Sequence, residues 1–258
     1  MLAWLRKKTA AASAKPIAQT DAVTLSEVTV DRGERTVLDG ISLSLNERSI
    51  GLVGDNGAGK STLLKLLNGL LLPDAGTVNV FGHDTRQHGQ FLPALAGFIF
   101  QNPDHQLIFP TVAEELAFGL EQLGQSAEEA ETGARAFLRQ YRVEALADKP
   151  VHCLSEGQKQ FVCVLSVLIM RPRLLLLDEP FSSLDLTTRH RLLGLMQTQA
   201  ERVLMVSHDL ELLAGFERVI WLRDGGVHRD GVPAEVLPAY RADAMARLHA
   251  EPAWGTEQ

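Results

Sequence analysis

Residues 50–69 read IGLVGDNGAGKSTLLKLLNG. A short apolar strand, Ile50 to Val53, runs into a glycine-rich turn and then into a helix with apolar residues at helical spacing. Gly54, Asp55, Asn56, Gly57, Ala58, Gly59, Lys60 and Ser61 together fit G-x-x-x-x-G-K-[ST], here set between a strand and a helix. The physical reason for the pattern is local. Glycines let backbone N–H groups turn inward around phosphate oxygens, and the helix N-terminus adds favourable potential for an anion. Gly54 to Thr62 is therefore the expected cradle for a nucleoside triphosphate, with Lys60 on the β- and γ-phosphates and Ser61 on Mg²⁺. A tight glycine turn without a ligand is the plain alternative.

Outward from this stretch the chain alternates. Upstream lie VTLSEVTV and TVLDGISLSL, two β-rich segments parted by the turn DRGER. Downstream the helix stops near Gly69, with Pro73 blocking continuation. TVNVFG and GFIFQ read as further strands, and helical patterns crowd residues 103 to about 170. Leu174 to Leu177 is an uninterrupted apolar run, as expected of a strand buried on both faces. A helix over 187–200, the strand RVLMVSHD and a hairpin around Asp224–Gly226 complete the pattern. Strands alternating with helices predict an α/β domain with a mainly parallel sheet and a helical insert at about 103–170.

A second motif, LLLLDE at 174–179, places Asp178 and Glu179 at the end of that strand. Ligands of open α/β sheets bind at the C-terminal strand edge, so Asp178 is expected to hold Mg²⁺ and Glu179 to polarise the water that attacks the γ-phosphate. An apolar run followed by two acids is common by itself. Its continuation into Pro-Phe-Ser-Ser-Leu-Asp185 makes it specific.

Over residues 22–235 these features, in this order, resemble the ABC ATPases. Gln101, after GFIF, resembles the glutamine that senses Mg²⁺ and the attacking water. Leu154-Ser155-Glu156-Gly157-Gln158 resembles the signature loop, which caps the γ-phosphate held by the opposite subunit. Ser182-Ser183-Leu184-Asp185 resembles the D-loop at the dimer interface, and His208 in VSHD resembles the switch histidine on the γ-phosphate. The resemblance implies a P-loop NTPase (RecA-like) core with an antiparallel β subdomain and a helical insert. It implies ATP and Mg²⁺ as cofactors, Ser61, Gln101 and Asp178 around the metal, and Lys60, Gln101, Glu179 and His208 as catalytic residues. Because one chain carries one set of motifs, a second ATPase copy is implied, in a homodimer or in a heterodimer with a second ATPase. Ser155-x-x-Gln158 is also a capping-box pattern, so Ser155 is expected to open a helix aimed at the partner's nucleotide.

Two departures stand out. The signature usually reads LSGGQ, and here Glu156 takes the third place; a carboxylate beside a triphosphate must point into solvent. The aromatic residue that usually stacks on adenine is also missing from Thr29-Val-Asp-Arg32-Gly33, where the planar guanidinium of Arg32 is the candidate replacement.

The segment QNPDHQLIFPTVAEELAFG, 101–119, resembles ATPases of energy-coupling factor importers, and its wording is most similar to the biotin-importer ATPase, with cobalt or nickel and other vitamin importers as the alternative. Implied partners are a transmembrane scaffold subunit and a membrane substrate-binding subunit, with no direct contact to the transported substrate and a place on the cytoplasmic face of the bacterial inner membrane. A soluble ABC ATPase acting on ribosomes or DNA is the alternative of another class. DNA-acting members carry long coiled-coil arms between P-loop and signature, which residues 61–154 lack.

Composition agrees with this class. The chain has 258 residues, 45% hydrophobic and 22% charged, enough for a large core. Its net charge of −7 argues against a nucleic-acid partner. The longest nearly apolar run, Phe161 to Met170, is far short of the roughly 20 residues that a bilayer requires. Residues 1–21 carry Trp4 and Arg6–Lys8 without an apolar run behind them, and are expected to be a disordered leader and not a signal peptide. Residues 236–258 are expected to be a short C-terminal segment. Cys153 and Cys163 have no metal-ligand spacing and read as reduced core thiols.

Overall fold

The computed structural model describes residues 20–33, 35–181 and 184–250. The leader expected over residues 1–21 lies outside them up to residue 19, as do Ser182 and Ser183 of the D-loop.

Alternation in the first two segments becomes an antiparallel hairpin, β1 (Val23–Arg32) and β2 (Arg35–Ser44), paired from Thr24↔Ser44 to Arg32↔Arg35 with register shifts between. β3 (Ser49–Val53) then leads into α1 (Lys60–Asn68), which Gly69 ends in the left-handed conformation. β4 (Ala75–Val80) and β5 (His83–Asp84) return to the hairpin, giving a four-stranded antiparallel sheet of order β2-β1-β4-β5. Glu27, at φ 49°, bulges out of β1 where the register shifts. Opposite it stands Gly76, where a Cβ would lie 2.2 Å from the Glu27 carbonyl oxygen.

The short α2 (Leu92–Leu95) precedes β6 (Ala96–Ile99). The helical insert follows, with α3 (Val112–Gln122), α4 (Ala127–Gln140) and α5 (Glu156–Leu168). The chain then alternates through β7 (Leu174–Asp178), α6 (Leu186–Gln199), β8 (Arg202–Val206), α7 (Leu210–Leu213), β9 (Arg218–Arg223), β10 (Gly226–Gly231) and α8 (Pro233–Ala250). The second sheet has the order β10-β9-β3-β8-β7-β6. Five of its strands are parallel, and β10 closes the edge antiparallel to β9. The expected α/β class, antiparallel β subdomain and helical insert are all present.

Period-two geometry explains why β7 and β8 are apolar at every position. Leu174, Leu176, Leu204 and Val206 pack toward α1 and the antiparallel sheet, whereas Leu175, Leu177, Val203 and Met205 face α5, α6 and the start of α8. α1 thus sits between the two sheets, burying Leu63, Leu64, Leu66 and Leu67.

Two readings of the sequence need adjustment. Cys163 is buried, but Cys153 is exposed, in the turn just before Leu154; the apolar contact there is made by Val151 and Leu154. The boundary expected at 235/236 falls inside α8, whose Val236 and Leu237 belong to the core. The Gly231–Pro233 break that precedes the helix is the real change of direction, since proline at a first helical position favours starting there.

The insert is held by capping boxes at all three helix starts: Thr111 with Glu114, Ser126 with Glu129, and Ser155 with Gln158. A further carboxylate, Glu115, is buried on α3. Its Oε2 accepts the backbone N–H groups of Ile108 (2.8 Å) and Phe109 (2.9 Å), fixing the loop that enters the insert. Burial pushes the Glu115 carboxyl above its ordinary value of 4.5, against these hydrogen bonds, which favour the anion. The folded chain therefore holds this proton more tightly than the unfolded chain, so this group's contribution to stability falls as pH rises from the unfolded value through the raised folded one. Glu115→Gln keeps an acceptor oxygen and removes the titration. Its melting temperature, relative to the parent's, is expected to rise as pH goes from about 4 to about 7; a pH-independent difference would count against this account.

Candidate nucleotide site

β3 ends in a loop that only glycines can follow. Gly54, Gly57 and Gly59 have φ of 150°, 82° and 98°. A Cβ at Gly54 would lie 2.3 Å from the Leu222 carbonyl oxygen, and one at Gly59 would lie 2.4 Å from Leu38 Cδ2 and 2.9 Å from the Val37 oxygen. The backbone is pressed against β9 on one side and β2 on the other, and the start of α1 has no side-chain cap, which leaves its first N–H groups for an anion.

Lys60 is 93% buried by its loop, being only 7% exposed. Its Nζ donates to the carbonyl oxygens of Gly54 (2.7 Å) and Asp55 (2.9 Å). Burial holds its pKa below the ordinary lysine value, and the charges of Glu179, Asp55 and Asp178 work in the opposite direction. Those carboxylates mark where the lysine's charge is balanced. Asn56 is exposed and Ala58 buried, while Asp55, Ser61 and Thr62 are half-buried.

Ser61 Oγ donates to Asp178 Oδ1 at 2.9 Å, joining the first turn of α1 to the end of β7. A hydroxyl and a carboxylate oxygen at this separation, beside a phosphate cradle, are hard donors suited to Mg²⁺, which takes few protein ligands and fills its shell with water and phosphate oxygens. The residues present fit that ion. Gln101, also expected near the metal, directs its amide nitrogen to Glu179 Oε2 at 3.3 Å.

Glu179 is the meeting point. Its φ is 49°, an unusual conformation for a residue with a side chain, and its N–H donates to the Val206 carbonyl at 3.1 Å. Its Oε1 lies 3.0 Å from His208 Nε2, and Oε2 faces Gln101. Sequence-distant Lys60, Ser61, Gln101, Asp178, Glu179 and His208 are thus brought together. A carboxylate between an imidazole and an amide, next to a phosphate cradle, can take a proton from a water aimed at a terminal phosphate.

Ser155 to Gln158, the residues that resemble the signature loop, lie apart from this cluster. Ser155 Oγ accepts from the Gln158 N–H (3.4 Å), and Gln158 Oε1 accepts from the Ser155 N–H (3.1 Å), so the capping box opens α5 as expected. Ser155, Gly157 and Gln158 line a cavity of about 670 Å³ with Leu184 and Asp185, and none of the glycine-loop residues borders it. Glu156 is exposed. Asp185 caps α6, accepting from the N–H (3.0 Å) and hydroxyl (2.7 Å) of Thr188.

Arg32, the residue expected at the adenine, ends β1 and is exposed. Three other arginines escaped the sequence reading. Arg35, opposite Arg32 in the hairpin, donates to the Gly57 carbonyl at 3.4 Å. Arg189 bridges the Leu184 carbonyl (2.6 Å) and Asp209 (3.2 Å), tying the D-loop end to the segment after His208. Arg247 of α8 grips Asp55. Nothing in their local sequence signals these roles.

Such a P-loop core, with a paired carboxylate at the strand end and a helical insert carrying its own capped loop, defines the ABC ATPase domain. The chain belongs to the ABC transporter family, whose model matches residues 38–182. It is 43% identical to the biotin transport ATP-binding protein BioM of Rhodobacter capsulatus over 89% of this chain and 99% of that protein. It is 38% identical to the energy-coupling factor transporter ATP-binding protein EcfA1 of Lacticaseibacillus paracasei, over 73% and 69%. Among solved structures, cbiO1 of Clostridium perfringens, part of the ABC transporter complex cbiONQ, aligns with a TM-score of 0.73 at 29% identity, covering 88% of this chain and 94% of that one. A dimeric ATP-binding cassette in a post-hydrolysis state with ADP and Pi aligns at 0.72 and 27% identity, covering 82% and 98%.

Gly59→Ala is expected to lower stability by about 1–3 kcal/mol, through strain at a positive φ and collision with β2. It should also weaken ATP binding at least about tenfold. Urea unfolding and calorimetric titration check the two effects; parent-like ATP affinity would contradict the cradle assigned to this loop.

Proposed function

We propose that this chain is the ATP-hydrolysing subunit of an energy-coupling factor type importer, and that the imported substrate is biotin. The observation that carries the catalytic part is the convergence of Gln101 and His208 on Glu179, next to the Ser61–Asp178 pair and the buried Lys60. The importer part is supported by the 101–119 segment and by the relatedness to EcfA1, and the biotin part by the near-full-length relatedness to BioM.

In this reading ATP lies along Gly54 to Thr62, with Lys60 on the β- and γ-phosphates and Arg32 at the adenine. Ser61, Asp178 and Gln101 stand around Mg²⁺, which when bound offsets negative charge on the phosphates. Glu179 accepts a proton from water as the water oxygen attacks the γ-phosphorus and the bond to the bridging oxygen breaks, leaving ADP and phosphate. His208 holds Glu179 through the 3.0 Å contact and reaches toward the γ-phosphate. Ser155 and Gly157 are placed at the start of α5 and reach only a second copy's nucleotide, with Asp185 alongside, so a dimer completes two sites.

The link to a membrane partner runs through the insert. Gln106 accepts from the Phe100 N–H (3.3 Å) and donates to the Cys163 carbonyl (3.1 Å), and Asp104 pairs with Lys159 (2.6 Å). The segment after Gln101 is thereby fastened to α5, whose first turn is the signature. Beyond it, Phe109, Glu114, Phe118 and Glu121 line a cavity of about 470 Å³ on the insert's surface, where a scaffold subunit would seat. No helix among the described residues is long and apolar enough to cross a membrane, so the membrane steps fall to the transmembrane scaffold and the substrate-binding subunit.

Glu179→Gln should bind ATP, lose at least about 100-fold of kcat, and accumulate as an ATP-held dimer in size-exclusion chromatography. Rapid turnover by that variant would remove Glu179 from its role. For the cargo, the tagged chain is pulled from detergent-solubilised membranes and assayed for integral proteins, labelled biotin and labelled cobalt. Retained biotin supports the proposal; retained cobalt keeps the importer and changes the cargo; ribosomes or DNA-bound factors in place of membrane proteins overturn the importer.

A further inference from the structure

α8 is anchored at one end and charged at the other. Val236 and Leu237 are buried against the parallel sheet, and Tyr240 packs on Trp221 with ring centroids 5.3 Å apart. One turn further the contacts become ionic. Arg223 of β9 donates to Asp243 Oδ1 (3.0 Å), Arg247 Nε donates to Asp243 Oδ2 (2.9 Å), and the guanidinium of Arg247 grips both oxygens of Asp55, at 2.5 and 2.9 Å. This is a two-bond fork onto a residue 192 positions away.

Asp55 directly follows Gly54 in the phosphate loop, and its carbonyl oxygen already accepts from Lys60 Nζ. Its carboxylate is therefore the one negative charge the glycine loop itself brings to a site built for a polyanion. The reach of that charge is visible in a neighbour. It holds Tyr240 more firmly protonated, adding to the effect of burial there. The same field acts with the opposite sign on a triphosphate.

The fork's side chains keep 38% and 43% of their surface open to solvent, where water and salt screen the pair and reduce what it adds to folding. We infer that Arg247 is a positioning residue for ATP: by pairing with Asp55 it cancels the carboxylate charge beside the phosphate cradle, which makes the C-terminal helix part of the nucleotide site. The inference rests on the ATPase reading of Gly54 to Thr62.

The test uses the full-length protein and a fluorescent trinitrophenyl-ATP titration with Mg²⁺ at low ionic strength, with melting temperatures measured in parallel. Arg247→Ala is expected to raise the Kd about fivefold while the melting temperature stays near the parent's. Arg247→Lys, which keeps the charge and loses the fork, should fall between the two. In an Asp55→Asn background, Arg247→Ala should cost no further affinity, because there is no carboxylate left to neutralise. The gap between Arg247→Ala and the parent should also narrow as salt is raised. An unchanged Kd in Arg247→Ala, or an equal loss in both backgrounds, overturns the inference, since packing of α8 alone would then account for the result. Failure of the parent protein itself to bind the nucleotide would instead overturn the ATPase reading beneath it.

Discussion

The row of residues Leu52, Val206 and Asp178 is the register on which the site depends. Val206 of β8 stands opposite Leu52 of β3 on one side and Asp178 of β7 on the other. β3 and β7 never touch, yet this shared parallel register brings both to the same edge of the sheet. There the loop leaving β3 starts α1, and the Ser61 hydroxyl meets Asp178. The Val206 carbonyl then takes the N–H of Glu179, which turns that residue into its left-handed conformation beside His208. A slip of one residue in β7 would exchange its two apolar faces and send Asp178 away from α1, so the core's period-two packing is also what sets the chemistry.

Several groups at this edge are held in states that cost free energy. Glu179 carries a positive φ, Lys60 is enclosed by its own loop, and Gly54 and Gly59 leave no room for a Cβ. Such features persist where the surroundings over-determine them, and here two sheets and α1 do so. Rigid placement of charged groups before the substrate arrives is what electrostatic stabilisation of a phosphoryl transfer requires.

Around this rigid edge the polar side chains act as connectors. Gln101 touches Glu179, Gln106 and Asp104 fasten the next residues to α5, and Glu115 fastens the loop after them to α3. Arg189 links the end of the D-loop to Asp209, next to His208. Each link is a hydrogen bond or ion pair between elements that do not share a sheet. These polar links add to an apolar contact, in which Phe137, Phe161 and Leu195 pack against both the cluster under the sheet and the cluster of the insert.

The amino-acid sequence by itself determined whatever depends on neighbours along the chain. The glycine loop was legible because backbone strain selects glycine position by position. The buried strand before Asp178 was legible because burial on both faces demands an unbroken apolar run. The Ser155 box was legible because a cap needs its partner three residues on, and the boxes at Thr111 and Ser126 carry the same signal. Tertiary structure alone decided the pairings across long separations, Arg35 with Gly57 and Arg247 with Asp55. It also placed Cys153 at the surface and carried α8 through the boundary expected at 235/236. A local pattern reports the torsions and burial that a residue needs. Which distant charge it meets is set only when β3, β8 and β9 align in register and bring those segments to a common edge.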